Sequence, residues 1–316
     1  MPILISVTPP GLPEEAPPVF APKVRDEPTL IWRGWTGDEW VLAGDRNVGT
    51  FILQDGLGGL LEPAIQYYFS ENTGDGSTYR GHRIPAREVT VPMFVWAPTP
   101  SEMRAEDARF RKTLRPEQTA VLVVQEPDGS RRYLTVRYLS GAEGSFSGET
   151  YGKHWMSYTL TLTAEDPFFY GEKESATFEG VDPVDFYNGG TAPDYLISEA
   201  NTIASAKVTN IGDEPAYVTW TVHGAMSDFV GGWPGGIVHL PIALTSGEAL
   251  TVYTDPRDGR IIDQSGASRW GELLDEDIQF GPLPAGEETE LGLTVADGDA
   301  STFVTISWTP KFRSAW

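Results

Sequence analysis

From Arg87 to Trp96 the chain reads REVTVPMFVW, with apolar side chains at every second position: Val89, Val91, Met93 and Val95. A period of two belongs to a half-buried strand, because successive side chains point to opposite faces of a sheet. Pro92 interrupts the series. It has no N–H to give a ladder, so this strand is expected at a sheet edge or with a bulge. The same alternation returns in YTLTLTA, where Tyr158, Leu160, Leu162 and Ala164 face one way and the threonines the other. TAVLVVQ and RRYLTVRYLS flank EPDGS, and Asp-Gly between two such runs predicts a hairpin. Shorter apolar runs come first, TLIWRGW, EWVLA, GTFILQDGLGGLL and AIQYYFS, separated by the turn formers TGDE, GDRN and NTGDGS.

One segment changes period. In TPSE, Thr99 is placed as an N-cap, Pro100 at the first helical position and Glu102 where it closes a capping box. Met103, Phe110 and Leu114 share a face, so a helix is predicted to about Leu114, with Pro116 ending it.

YTLTLTA runs directly into EDPFFYG. Pro167 cannot continue a central strand and biases Asp166 towards extended or turn geometry. Phe168, Phe169 and Tyr170 are placed to fold back over the end of the sheet, so Asp166 to Tyr170 reads as a structural corner. A catalytic reading of Glu165 and Asp166 needs both carboxylates facing one substrate, about 5 to 9 Å apart in glycosidases. Adjacent strand residues point to opposite faces, which argues against it. The polar GEKESATFEG that follows reads as a domain boundary. Beyond it, SAKVTN, AYVTWTVHG, GIVHLPIAL, ALTVYT, DIQFGPL, ETELGLTVA and TFVTISWTP recur without any sustained helical period. Many short strands without helices predict a sandwich or jelly roll. Trp220, Val222, Leu250, Val252, Val304, Ile306 and Trp308 fall at strand spacing, so the second half is expected to own a core.

Composition narrows the function classes. The 316 residues suggest about two domains. There is no cysteine, which removes thiol catalysis, thiolate metal sites and disulfides together. A net charge of −22 argues against stable nucleic-acid binding, which depends on Lys and Arg neutralising phosphates. No apolar stretch approaches the ~20 residues that span a bilayer, so membrane insertion is not expected. The N-terminus lacks a basic n-region and its ILISV run is soon broken by proline, so a signal peptide is not expected either. The first 22 residues hold seven prolines, from Pro2 to Pro22. They read as a loose lead-in or as an extended arm lying on a neighbouring subunit.

Signatures of chemistry are sparse, and no catalytic residue, metal ligand or cofactor is assigned. His82, His154, His223 and His239 show no metal-pair spacing. There is no G-x-S-x-G elbow and no P-loop lysine, and DGLGG lacks the helix a dinucleotide site needs. VGGWPGG places Trp233 in a flexible glycine-rich loop, where it would stack on a sugar, or pack locally or against a partner subunit. Trp233, Tyr253 and Trp270 together would make a carbohydrate contact if exposed on one groove. Arg80, Arg83 and Arg87 form a basic run before the strand bearing Pro92. These four residues read as a subunit interface, with arginines meeting carboxylates of a second copy and a free strand edge for it to extend. The alternative is a solvated strand face.

Three stretches carry a resemblance: STYRGHRIPAREVTVPMFV, the helix after it, and WMSYTLTLTAEDPFFYG. Together they resemble the N-terminal domain of the distal tail proteins of long, non-contractile-tailed bacteriophages. NIGDEPAYVTWTVHG, GEALTVYTDP, LPAGEETELGL and the ending WTPKFRSAW are similar to the C-terminal domain of such minor tail proteins, especially from phages of actinobacteria. The likeness covers most of the chain from about residue 30; the proline-rich start departs from it. It implies a mainly β chain: a proline-rich arm at 1–28, a ring-forming, β-sandwich-like tail-tube-type domain at 29–175 with one helix and a β-hairpin, and a galectin-like or jelly-roll sandwich at 176–316. It implies a structural, non-enzymatic virion protein at the tail tip, assembled in the host cytoplasm. Its expected partners are five further copies in a hexameric ring, the tail tube protein, the tail-tip hub and the tape measure protein. The alternatives are a tail-tip adhesin that binds host-surface carbohydrate and another minor tail protein sharing these domains.

Overall fold

A computed structural model describes residues 28–43, 49–52, 56–71, 73–143, 152–179, 201–202, 206–272, 278–299 and 301–316. The proline-rich arm lies outside them. The first part of the chain contributes β1 (Thr29–Arg33), β2 (Glu39–Val41), β3 (Gly49–Ile52), β4 (Gln66–Glu71), β5 (Ser77–Arg83) and β6 (Arg87–Trp96). Helix α1 (Pro100–Arg111) follows, then β7 (Ala120–Gln125), β8 (Arg131–Ser140), β9 (Trp155–Ala164) and β10 (Phe169–Tyr170). The main sheet runs in the order β2-β1-β7-β8-β9-β6-β3. Val89, Val91, Met93 and Val95 on β6 face its core with Leu160 and Leu162 of β9, none of them more than 2% exposed.

Pro92 is not at an edge. β6 pairs with β9 along all ten residues, from Arg87 opposite Ala164 to Trp96 opposite Trp155, without a shift in register. On its other side β3 pairs with Met93 to Trp96. Thr90 exchanges both backbone hydrogen bonds with Gly58, at 2.9 and 3.1 Å. By the two-residue alternation the Pro92 nitrogen faces that same side, between Gly58 and the end of β3. The missing N–H falls where no described strand needs it.

Helix α1 begins as the sequence predicts. The Thr99 hydroxyl accepts from Glu102 N at 3.2 Å, and the Glu102 carboxylate accepts from Thr99 N at 3.1 Å. It ends earlier, at Arg111. Thr113 bonds the Phe110 carbonyl through both its N–H and its hydroxyl, tightening the last turn. Phe110 still reaches the core, 5.8 Å from the Trp32 ring and 5.7 Å from Trp40.

The rest of the chain contributes β11 (Glu174–Glu179), β12 (Asn201–Thr202), β13 (Ala206–Thr209), β14 (Val218–His223), β15 (Asp228–Trp233) and β16 (Gly236–Leu240). Next come β17 (Ala249–Tyr253), β18 (Arg260–Asp263), β19 (Ile278–Gln279), β20 (Glu288–Ala296), β21 (Phe303–Trp308) and β22 (Lys311–Phe312). One sheet is β11-β21-β14-β17-β18; the other is β12-β20-β15-β16-β19, with β13 also on β20. Trp220, Leu250 and Ile306 of the first sheet share a core with Phe229, Leu240 and Leu293 of the second, so the two pack as a sandwich.

Two segments cross the expected division. The stretch read as a boundary holds β11, which pairs with β21 along its length. A cut after residue 175 would fall inside it. The chain end goes the other way: β22 pairs with β10, and Phe312 and Ala315 join the core of the first sheet. The second half therefore does not keep all its residues to itself.

Candidate assembly surface

Two places stand out from the packed frame, a buried arginine and an exposed hairpin. Arg87, expected to meet a neighbouring copy, is 4% exposed. The reason is its position at the start of β6, where the corner, the loop before the hairpin and the chain end converge. Its Nε donates to the Pro167 carbonyl at 2.6 Å, and Nη1 to Gly59 at 2.9 Å and Leu61 at 2.6 Å. Nη2 donates to the carbonyl of Arg313. The guanidinium also lies over the Phe169 ring, 5.0 Å from its centroid. Burial pulls its pKa down, partly opposed by Glu62. The same region ties in the chain end through Ala315 N to the Leu60 carbonyl at 2.8 Å and Arg132 Nη1 to the Ser314 carbonyl at 3.0 Å. Asp213 and Glu214 hold Arg313 from the sandwich side. Arg87 is a tie inside one chain.

The strands β4 and β5 form a two-stranded sheet on their own. Tyr67, Phe69 and Tyr79 gather on one face with ring centroids 6.0 to 6.3 Å apart, yet are 53%, 58% and 52% exposed. His82 joins them, its Nδ1 in a hydrogen bond with the Tyr79 hydroxyl. Tyr68 and Ile65 are exposed as well. Arg80 donates to Ser70 at 2.9 Å and Arg83 to Gln66 at 2.7 Å, both across the hairpin. Sequence reasoning singled out these two arginines and passed over the aromatics. The signal was present: YYF and TY flank the turn NTGDGS, with nothing apolar nearby to cover them.

The corner is built as a packed turn. Pro167 is buried and Phe169 fully so, while Phe168 and Tyr170 are half-buried. Asp166 accepts from the Tyr170 hydroxyl at 2.6 Å and from Phe168 N at 3.3 Å, and meets Arg257 at 3.4 Å. Desolvation and the neighbouring Asp166 push the Tyr170 hydroxyl pKa well up. Glu165 pairs instead with Arg137 at 2.9 Å. Strand alternation ends at Ala164, so the two carboxylates do not diverge as expected: both line one cleft of about 680 Å³ with Arg137, Tyr170, Arg257 and Lys311. Each is engaged by its own arginine.

The proposed aromatic trio does not form. Trp233 lies on β15, not in a flexible loop, and is 5% exposed with its ring stacked on Trp220 at 6.3 Å. The glycines that suggested a loop make room for rings. A Cβ on Gly231 would stand 2.4 Å from the Phe229 ring, and one on Gly236 would stand 2.9 Å from Trp233. Tyr253 is half-buried under Arg260, whose guanidinium is 4.3 Å from its centroid. Only Trp270 is exposed, at 45%, edge-on to Phe280. Among the described residues no three His, Asp or Glu side chains gather as a metal site. No described helix is long and apolar enough to cross a membrane.

No family model and no curated protein matches this sequence. Solved structures do. The SPP1 Dit protein (gp 19.1), described as a paradigm of the hub adsorption apparatus in phages that infect Gram-positive bacteria, superimposes with a TM-score of 0.63 at 16% identity. The match covers 90% of this chain and 99% of that one. The chain folds like a phage distal tail protein. The phage P2 baseplate in its activated conformation with Ca matches with a TM-score of 0.51 at 10% identity, over 91% of this chain and 99% of that one. The same baseplate with Sr gives 0.50 at 10% identity. The distal tail resemblance of the sequence thus returns in the fold, whereas the actinobacterial part of it gains no support from these neighbours.

Proposed function

We propose that this chain is a structural virion protein at the distal end of a phage tail. Copies of it form a ring, six in number, that joins the tail tube to the tail-tip hub and lets DNA pass during ejection. The observation that carries this reading is the extent of the fold likeness, which takes in nearly the whole of this chain and of SPP1 Dit. The ring would abut the tail tube, hub and tape measure proteins, assemble in the host cytoplasm, and need neither cofactor nor catalysis. The pairing of Glu165 and Asp166 with separate arginines is in keeping with that. The division 29–175 and 176–316 would then be one of labour, ring and projecting sandwich, with β11 and the chain end exchanged across it. In an acidic ring a neutral to acidic channel wall would let DNA pass without counterion-driven binding. Electron microscopy of the purified protein tests this reading. Six-fold rings are expected; three-fold particles, or monomers at every concentration, would overturn it.

A carbohydrate-binding adhesin is the second reading, and exposed Trp270 favours it. With Trp233 interior, it rests on one indole edge-packed against Phe280. Binding of host-surface glycans that disappears in Trp270→Ala would support it.

A further inference from the structure

Of the thirteen large hydrophobic residues exposed among the described residues, six lie between Leu61 and Tyr79. They are Leu61, Ile65, Tyr67, Tyr68, Phe69 and Tyr79. Four of them stand on the β4–β5 hairpin, which pairs with no other described strand, and such concentration marks a surface made to be covered. A two-stranded hairpin is marginal in water by itself, and its two edges, paired with no described strand, offer N–H and C=O groups to a partner. Its direction is nevertheless set. The carbonyls of Gly59 and Leu61 are held by Arg87, and that of Leu60 by Ala315 N. A cluster of aromatic rings presented from a fixed base loses little freedom on docking and has the composition of an interface hot spot.

We infer that the β4–β5 hairpin docks onto a second copy of this chain. This deepens the ring reading and rests on it. Charge identifies the occupant. Arg80 and Arg83 on β5 meet only the neutral groups of Ser70 and Gln66 within the described residues, while the chain as a whole carries 45 acidic residues against 23 basic ones. The surface of an identical copy is therefore rich in the carboxylates this stem lacks. The hairpin also has opposite signs at its two ends, Glu71 and Asp75 at the turn and the arginines on the returning strand. That asymmetry suits a head-to-tail contact in which each copy gives its hairpin to the next, the type that closes rings.

The experiment uses the full chain and three variants. In Tyr67→Ser/Phe69→Ser, association measured by analytical ultracentrifugation should weaken by about 30-fold or more, with the melting curve unchanged. The chain has no cysteine, so Asp75→Cys places a single thiol at the hairpin turn. A maleimide-linked photo-crosslinker there should join two copies, while the same label at Asp258→Cys in the sandwich should not. Rings that survive Tyr67→Ser/Phe69→Ser, together with no crosslinking from Asp75→Cys, would overturn the hairpin assignment and leave the ring reading standing. A wild-type chain that is monomeric at every concentration would overturn both. If it is monomeric yet binds phosphatidylcholine vesicles, and the double variant does not, the hairpin faces a membrane and the second copy is the wrong occupant.

Discussion

Arg80, Arg83 and Arg87 belong to one stretch, YRGHRIPAR, and finish in opposite surroundings. The first two lie on a hairpin that pairs with no other described strand and, among the described residues, bond across it. The third is sealed into the frame, with its guanidinium given to four backbone carbonyls from three separate places in the chain. The difference teaches where the two jobs of the molecule reside. Carbonyls cannot be neutralised or titrated away, and an arginine stays charged at any ordinary pH, so the Arg87 knot is a permanent tie. The hairpin pairs with no other described strand of the frame. Its aromatics gain by burial only when something covers them, which makes it a surface for assembly. The contrast can be broken by substitutions that affect the wrong property.

The largest effect is expected at the knot. Arg87→Met fills much of the same space but orphans four acceptors, each worth about 1–3 kcal/mol when buried. Allowing for water reaching some of them, the loss should be on the order of 5 kcal/mol, read from urea unfolding. Arg87→Lys should recover little, because one ammonium cannot span the four carbonyls. An Arg87→Met protein as stable as the wild type would make the knot ornamental and the comparison empty.

Next comes the corner that the knot holds. Phe169 has no exposed surface, so Phe169→Ala should cost about 3–5 kcal/mol. Phe168, half-buried beside it, should cost clearly less. Equal losses at the two positions would mean that the corner is held by its hydrogen bonds and not by the buried ring.

Much of this frame was legible in the sequence, for a stated reason in each case. Val89 to Val95 and Tyr158 to Ala164 keep strict alternation because one face of their sheet is buried and the other is not. The capping box at Thr99 is a local device and can be read locally. Pro92 misled because a proline reports only that its own nitrogen has no donor; the partner gap beside Gly58 is made by a distant segment. Trp233 misled for a similar reason. VGGWPGG has the composition of a loop, but its glycines serve to clear space for Phe229 and Trp233 inside a strand pair. The fate of Arg87 depends on a carbonyl 226 positions away, and that of Phe312 on pairing with the distant Phe169, which no local pattern encodes. The hairpin aromatics could be read but not weighed, since YYF looks the same whether a second sheet covers it or nothing does.

A smaller, pH-dependent effect separates buried charge in the frame from exposed charge. Asp107 on α1 is almost fully buried, paired with Arg111 at 2.5 Å and accepting from the Tyr158 hydroxyl at 3.1 Å. Desolvation pushes its carboxyl above the usual value, only partly opposed by Arg111 and Tyr158. The folded chain thus holds this proton to higher pH than the unfolded chain does. Its contribution is fully present below the ordinary carboxylate value of about 3.9, and is lost as pH rises through the raised folded value. The turn carboxylates Asp128, Asp263 and Asp299 go the other way. Each accepts from a serine two residues on and is held low, so its contribution is present above the ordinary value and lost in acid. Comparing wild type with Asp107→Asn cancels those turns. The difference should move in favour of the wild type as pH falls from 7 towards 4; movement in the opposite direction would mean that the Arg111 pair outweighs burial.

The smallest effect completes the comparison, because it repeats the arginine substitution on the hairpin. Among the described residues Arg80 and Arg83 have no buried partner, and their bonds to Ser70 and Gln66 lie in solvent. Water can take over each of those bonds when the side chain is cut back, and exposed positions of this kind usually change stability by no more than about 0.5 kcal/mol. Arg80→Ala/Arg83→Ala should therefore unfold in urea at the wild-type midpoint, while Arg87→Met does not. The distinction is sharpest if self-association is followed on the same samples. The hairpin variant should associate more weakly at low salt, and the gap should narrow as salt screens the lost pairing with carboxylates. Should the double variant instead lose several kcal/mol with association untouched, the hairpin would be part of the frame and the two regions would not differ in kind.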